Sequence, residues 1–130
     1  MEETGAETIP QKVKQIYTAG PMSGYPEFNF PAFFAKEAEL TEAGWKVWNP
    51  AKKEEEAHLD KEAVKTGDVA KAIAAGFDFR KVFLWDAEKV ILSDAIYMLK
   101  GWEASPGACA EHAIATVMKK HYPEYEIYYE

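Results

Sequence analysis

Cysteine is almost absent. Cys109 stands alone in 130 residues, so no intrachain disulfide can form, and a reducing compartment suits the chain. Histidine is scarce too. His58, His112 and His121 show no metal-ligand spacing with Cys109, so no metal site is expected. Basic residues are outnumbered, 15 Lys and Arg against 22 Asp and Glu. The net charge of −7 speaks against polymeric nucleic acid as a partner, because that needs a broad basic stripe. A small anionic ligand needs only local donors and stays open. No apolar run approaches the roughly 20 residues that span a bilayer, so no membrane partner is expected. The opening Met-Glu-Glu-Thr-Gly-Ala-Glu is acidic and lacks the apolar stretch of a signal peptide, which points to a cytoplasmic chain.

What is present is enough apolar material for one domain: 48% of residues are hydrophobic and 14% aromatic. Residues 1–11 read as a frayed polar tail and 12–130 as a single domain. Val13 to Ala19 reads as a first strand, followed by the loop Gly20-Pro-Met-Ser-Gly-Tyr-Pro. Asn29 is the expected N-cap of a helix with Pro31 in its first turn and Gly44 as its stop. Trp45-Lys-Val-Trp is a short strand closed by Asn49-Pro50. Residues 51–68 are so highly charged that a solvated helix or mobile loop is expected. Helical periodicity resumes near Asp68 and runs to about Leu92, with a break at Gly76. Asp94 to Leu99 is a third strand, Gly107 to Lys120 a last long helix, and Tyr125-Glu-Ile-Tyr-Tyr a last strand.

The alternation β-α-β-α-β-α-β implies a parallel sheet with helices on both faces. The expected class is α/β: a three-layer, doubly wound, flavodoxin- or Rossmann-like fold of four to five strands. Ligands of such sheets bind beyond the carboxyl ends of the strands, near the switch point. Tyr17–Pro31, the chain after Asn49, and Lys100–Glu111 meet at that edge.

Two acids stand out against this pattern. Glu111 shares a helical face with Ile114, Ala115 and Met118, and Asp86 shares one with Phe79, Phe83 and Val90. A carboxylate facing a core is costly unless paired or hydrogen-bonded. One such residue is commonly a satisfied structural acid; two on neighbouring helices suggest an acid/base or nucleophile pair. Glu111 falls in the second turn of its helix, where the dipole favours the ionised form, and an ionised, positioned carboxylate can act as a nucleophile.

The loops between elements offer weaker signals. In Ala-Gly20-Pro-Met-Ser23-Gly the glycines let backbone N–H groups approach a ligand and Ser23 adds a hydroxyl, yet a plain strand-to-helix turn has the same look. Neither Gly-x-Gly-x-x-Gly nor a P-loop is present, so neither a dinucleotide nor a triphosphate is indicated. Ser105 and the backbone around Gly107 stand at a helix N-terminus, a ready anion site. Ser105 reads equally as the helix cap, and the two roles are compatible. Trp102, Tyr25, Phe28 and Phe30 are either core residues or an aromatic wall for a planar ligand. The surplus of Trp45, Trp48, Trp102, Tyr122, Tyr125, Tyr128 and Tyr129 suggests a homo-oligomer, a dimer or a multiple of it.

Four blocks together resemble the nucleoside 2-deoxyribosyltransferase superfamily, which includes deoxynucleoside 5′-monophosphate and cytidine-monophosphate N-glycosidases. The likeness is greatest to its small, often phage-encoded branch. The blocks are Ile16-Tyr17-Thr-Ala-Gly20-Pro-Met-Ser-Gly24, Asn49-Pro50, Trp85-Asp86 through Ser-Asp94-Ala-Ile, and Ala104-Ser105-Pro106-Gly107-Ala-Cys-Ala-Glu111. The resemblance implies cleavage of the N-glycosidic bond of a nucleoside or its 5′-monophosphate, with the sugar passed to water or to another base. It implies Glu111 as nucleophile, Asp86 as acid toward the base and Tyr17 as positioner of Glu111. Ser105 and Gly107, with Ser23, would hold a phosphate, and serine at 105 favours nucleotides. No metal or organic cofactor is implied. Residues 51–68 have no counterpart in that family, and Pro21 departs from the more open residue of its phosphate-specific turn. Two other functions fit the same residues: NAD glycohydrolase-like cleavage, and a catalytically silent nucleotide-binding regulatory module.

Overall fold

The computed structural model describes residues 12–57 and 59–130; the expected tail over 1–11, and His58, lie outside the described residues. Four strands, β1 (Gln15–Ala19), β2 (Lys46–Trp48), β3 (Ala95–Met98) and β4 (Glu126–Tyr129), form one sheet in the order β2-β1-β3-β4. All three pairings are parallel, with Tyr17 opposite both Trp48 and Ile96. The chain winds outward from β1 to β2, then crosses back to β3 and β4. The winding direction therefore reverses between β1 and β3, which makes their carboxyl ends the switch point of the sheet. The expected doubly wound α/β fold is present, with four strands among the described residues.

Ile16, Tyr17, Thr18 and Ala19 are all buried, as a strand covered on both faces requires. Alternation then divides the core. Ile16 and Ala95 pack with Leu40 of α1 (Phe30–Glu42) on one face. Tyr17, Ala19, Ile96 and Met98 pack on the other, with Val90 of α5 (Phe79–Leu92) and with Ala108 and Ala115 of α6 (Pro106–His121).

Helix α1 begins with Pro31 in its first turn and stops at Gly44, whose φ of +101° suits a residue without Cβ. Asn29 precedes it but does not cap it through its side chain. Its own backbone is left-handed, and its Nδ2 donates to the Pro21 carbonyl at 3.0 Å. Glu27, Phe28 and Asn29 are consecutive left-handed residues, with φ of 56°, 52° and 61°. Each costs about 1–2 kcal/mol. Burial of the Phe28 ring, roughly 1.5–3 kcal/mol, offsets part of that.

The charged stretch after Asn49 is helical and mostly exposed, as its composition suggests, apart from a few buried small residues. It forms α2 (Pro50–Glu56) and α3 (Lys61–Thr66), followed by α4 (Val69–Ala74). Asn49, Asp60 and Asp68 cap these helices, accepting from Ala51, Ala63 and Lys71 N–H groups. Ala51, Ala63 and Ala72 are buried against Phe28, Phe30, Phe33 and Leu99. Small alanines carry the packing, so the segment looks polar while one side of each helix is core. Gly67 closes α3 at φ +75°, and its carbonyl accepts the Gly24 N–H at 2.7 Å. A Cβ on Gly67 would collide with the Tyr25 carbonyl oxygen. The first loop and the charged segment are thus clamped together.

Most of the surplus aromatics are spent inside the chain. Trp45 meets Tyr128 edge-on at 6.1 Å, Trp48 meets Trp85 at 6.0 Å, and the buried Tyr125 hydroxyl donates to the Val90 carbonyl at 2.8 Å. Leu84, Ile91, Leu92, Val117, Tyr122 and Tyr129 remain exposed. Among the described residues no helix is long and apolar enough to cross a membrane.

Candidate active site

At the switch point a cavity of about 280 Å3 opens between the end of β1 and the start of α6. Tyr17, Gly20, Ser23, Asp86, Ser105, Gly107 and Glu111 all line it. Each arrives by the local logic of its element. Tyr17 faces the α5/α6 side of β1. Asp86 lies one turn from Val82 and Val90 on the buried face of α5, and Glu111 lies between Ala108 and Ala115 on the buried face of α6.

The Tyr17 hydroxyl donates to Glu111 Oε2 at 2.8 Å in a buried contact. Asp86 is only 6% exposed, and its Oδ1 has no hydrogen-bond partner. A buried, unpaired carboxyl oxygen facing a cavity is costly in the empty protein and calls for a partner from outside. The acids respond by holding protons. Burial pushes the Asp86 carboxyl up to about 7, against the pull of the Tyr17 hydroxyl. Burial, then the charge of Asp86, raises Glu111 well above the usual carboxyl range, again against Tyr17. The helix-dipole preference for an ionised Glu111 is therefore outweighed by desolvation. Burial and both acids keep the Tyr17 hydroxyl protonated and donating.

Ser105 caps α6: its Oγ accepts the Ala108 N–H at 3.2 Å. Its hydroxyl proton is not consumed by that role, since a serine both donates and accepts. Pro106 has no N–H, so Gly107 and Ala108 supply the first amide donors of α6. Gly20 has a packing reason to be glycine, because a Cβ there would come 2.7 Å from Leu99 Cβ. Ser23 is exposed at the rim.

Trp102 does not line the cavity. Its short 3-10 turn (Trp102–Ala104) lays the indole on His112, ring centres 4.4 Å apart, with Tyr129 at 6.0 Å. Phe28 and Phe30 are core residues, and Tyr25 packs over Gly67 and Gly101. The aromatic wall comes instead from Phe77, Phe79 and Phe83, with Phe79 and Phe83 stacked at 5.5 Å.

Glu54 is a third acid of the cavity, from α2. Burial, then the charge of Asp86, pushes it up to about 8. Its charged surroundings hid it, but Ala51 and Glu54 are three residues apart behind an Asn-Pro helix start, which places them on one face. Among the described residues none that lines the cavity is basic. Nor, among them, are three or more His, Cys, Asp or Glu grouped so as to hold a metal ion.

Residues 14–122 match the family described as Domain of unknown function (DUF4406). No curated protein and no solved structure matches the chain.

Proposed function

The chain belongs to the DUF4406 family, and for this member we propose cleavage of the N-glycosidic bond of a nucleoside 5′-monophosphate or nucleoside. The observation that carries it is the buried Tyr17–Glu111 hydrogen bond beside the unpartnered Asp86 Oδ1 in one cavity. Retaining glycosidases divide nucleophile and acid between two such carboxyl groups. The four sequence blocks that resemble nucleoside 2-deoxyribosyltransferases support the same roles.

In this mechanism Glu111 forms a bond from its carboxylate to C1′ of the sugar. The C1′–N bond breaks, its electron pair returns to the base, and Asp86 delivers a proton to a base nitrogen. The Tyr17 hydroxyl holds Glu111 in line and stabilises its charge before attack. Phe77, Phe79 and Phe83 cover a planar base. The phosphate is held by hydroxyl and amide donors of Ser105 and Gly107 at the N-terminus of α6. Water, or a second base, then takes the sugar from Glu111. No step requires a metal or an organic cofactor.

The test is mass-spectrometric detection of free base from nucleoside 5′-monophosphates, nucleosides and NAD, with and without an acceptor base. Free base from monophosphates, lost in Glu111→Ala, is expected. Release from NAD alone, or tight binding without release from any substrate, would overturn it. The protein works in the cytoplasm as a homo-oligomer in this proposal, with exposed Leu84, Ile91 and Val117 of α5 and α6 as the surface to be covered. A 14.7 kDa monomer by light scattering at high concentration would refute the oligomer.

A further inference from the structure

Three carboxyl groups, carried by α2, α5 and α6, face one cavity whose walls are mostly apolar. Neither Lys53 nor Lys89 lines it. Lys53 Nζ lies 5.6 Å from the Trp85 ring centre, and Lys89 Nζ 4.2 Å from that of Trp48. On α1, Glu37 is engaged by Asn49 Nδ2 at 2.9 Å. Glu56, Asp78 and Lys81 line a separate recess with Lys53. Three adjacent acids without a cation cannot all ionise, because like charges at close range disfavour one another. The Tyr17 hydroxyl donates a hydrogen bond to Glu111, which eases a charge there against the burial that raises its carboxyl. Glu54 has no such donor among the described residues and lies in the last turn of α2, where the helix dipole disfavours a negative charge. Asp86 Oδ1, buried and unpartnered, is the oxygen left to meet a ligand.

Given the glycosidic cleavage proposed above, we propose that Glu54 and Asp86 hold one proton between them and act as a single acid toward the leaving base, Glu54 being the member that retains the proton. The charges balance across the reaction. Burial holds a proton on Glu111 in the empty protein; once that proton has left, the site ready for attack carries one negative charge on Glu111 and one on the pair. When Glu111 forms its ester to C1′ it becomes neutral; the proton held on Glu54 passes to Asp86, and Asp86 delivers it to a base nitrogen as the C1′–N bond breaks. The pair then carries two charges, the base leaves neutral, and the total is unchanged. Water resolving the ester delivers its OH to C1′ and its proton back to the pair, and the Glu111 carboxylate returns. Losing the Glu111 charge is what allows Glu54 and Asp86 to ionise together.

Carboxyl 13C NMR of the ligand-free protein tests the pair without reference to turnover. Asp86→Asn is expected to lower the Glu54 midpoint, because burial then holds the proton there without the added charge of Asp86. An unchanged Glu54 midpoint would overturn the pairing. In turnover, the high-pH limb of kcat/KM is set by Glu54, near 8, and in Glu54→Gln by Asp86, near 7. The limb should therefore move down by about one unit, and Glu54→Asp should restore it. A limb that stays in place in Glu54→Gln would also overturn the pairing. Absence of turnover with every substrate, with the NMR coupling present, would instead refute the glycosidic reaction and leave the proton-sharing pair standing.

Discussion

Tyr17 and Glu111 lie 94 positions apart in the chain, yet the phenol donates to the carboxyl at 2.8 Å in the protein interior. Strand β1 and helix α6 are brought together by the parallel sheet, so the bond is a product of topology. Tyr17→Phe leaves the Glu111 carboxyl buried without its donor. A hydrogen bond to a charged group is worth about 1.5–3 kcal/mol, or roughly 10–100-fold in kcat. The Tyr17 hydroxyl now opposes the upward shift of Glu111. Its loss should therefore also move the low-pH limb of the kcat profile upward. A full pH–rate profile of the variant checks both effects.

Ser105→Ala separates two roles of one hydroxyl. Loss of the α6 cap should cost about 1 kcal/mol of stability. Loss of a donor to a phosphate should lower kcat/KM for nucleoside monophosphates about tenfold or more, and for nucleosides much less. Equal losses on both substrates would make Ser105 a helix cap only.

Gly67→Ala should damage the cavity from a distance. The residue has φ of +75° and would press its methyl group on the Tyr25 carbonyl. The left-handed conformation alone costs about 1–2 kcal/mol in an L-residue. The clamp between α3 and the first loop should loosen, lowering the unfolding midpoint and exposing residues 21–29 to hydrogen exchange. Unchanged exchange in that loop would show that Gly67 does not hold it.

Much of this was legible in the sequence because it obeys short-range periodicity. Asp86 and Glu111 betray themselves as acids on apolar faces, and the alternation of strands and helices dictates the parallel sheet. Glu54 escaped for a physical reason. It belongs to a seven-residue helix whose buried side is built on Ala51 and whose other residues are mostly charged, so periodicity has too little contrast to work on. Trp102 misled for the opposite reason. Its ring lies beside the site in sequence, but the turn at 102–104 directs it toward His112 and Tyr129. No local rule gives the direction of an indole on a short turn. Asn29 does stand at the N-cap position of α1, but with a left-handed backbone its side chain serves the Pro21 carbonyl and not the helix N–H groups.

Stability should fall as pH rises. The Asp86 and Glu54 carboxyls are pushed up to about 7 and about 8 in the folded chain. Unfolded, both lose their protons near their ordinary values of roughly 4. Between these limits the folded state holds protons that the unfolded state has released, so stability decreases with pH. The contribution is fully present below about pH 4 and is lost as pH climbs through the folded values, by up to about 1.4 kcal/mol per group and pH unit. The melting temperature should be higher near pH 5.5 than near about 8.5, and Asp86→Asn should flatten the slope. A melting temperature that rises over this range in the wild-type protein would contradict the burial of these acids.

Glu111, and not Asp86, is expected to carry the sugar. Glu111 follows the Ser105 hydroxyl and the Gly107 amide at the start of the same helix, so a phosphate bound there brings C1′ toward it. Asp86 comes from α5 and belongs with the aromatic wall of Phe79 and Phe83, where a base would stack. A 2-fluoro-arabinosyl substrate analogue slows release of the ester, and peptide mass spectrometry then locates the adduct. The sugar should be found on the peptide that contains Glu111. Glu111→Ala should abolish turnover while sparing the fold and ligand affinity. Asp86→Asn should slow base departure, and least for substrates with a good leaving group, because those need no proton. An adduct on Asp86, or full activity in Glu111→Ala, would reverse the two roles.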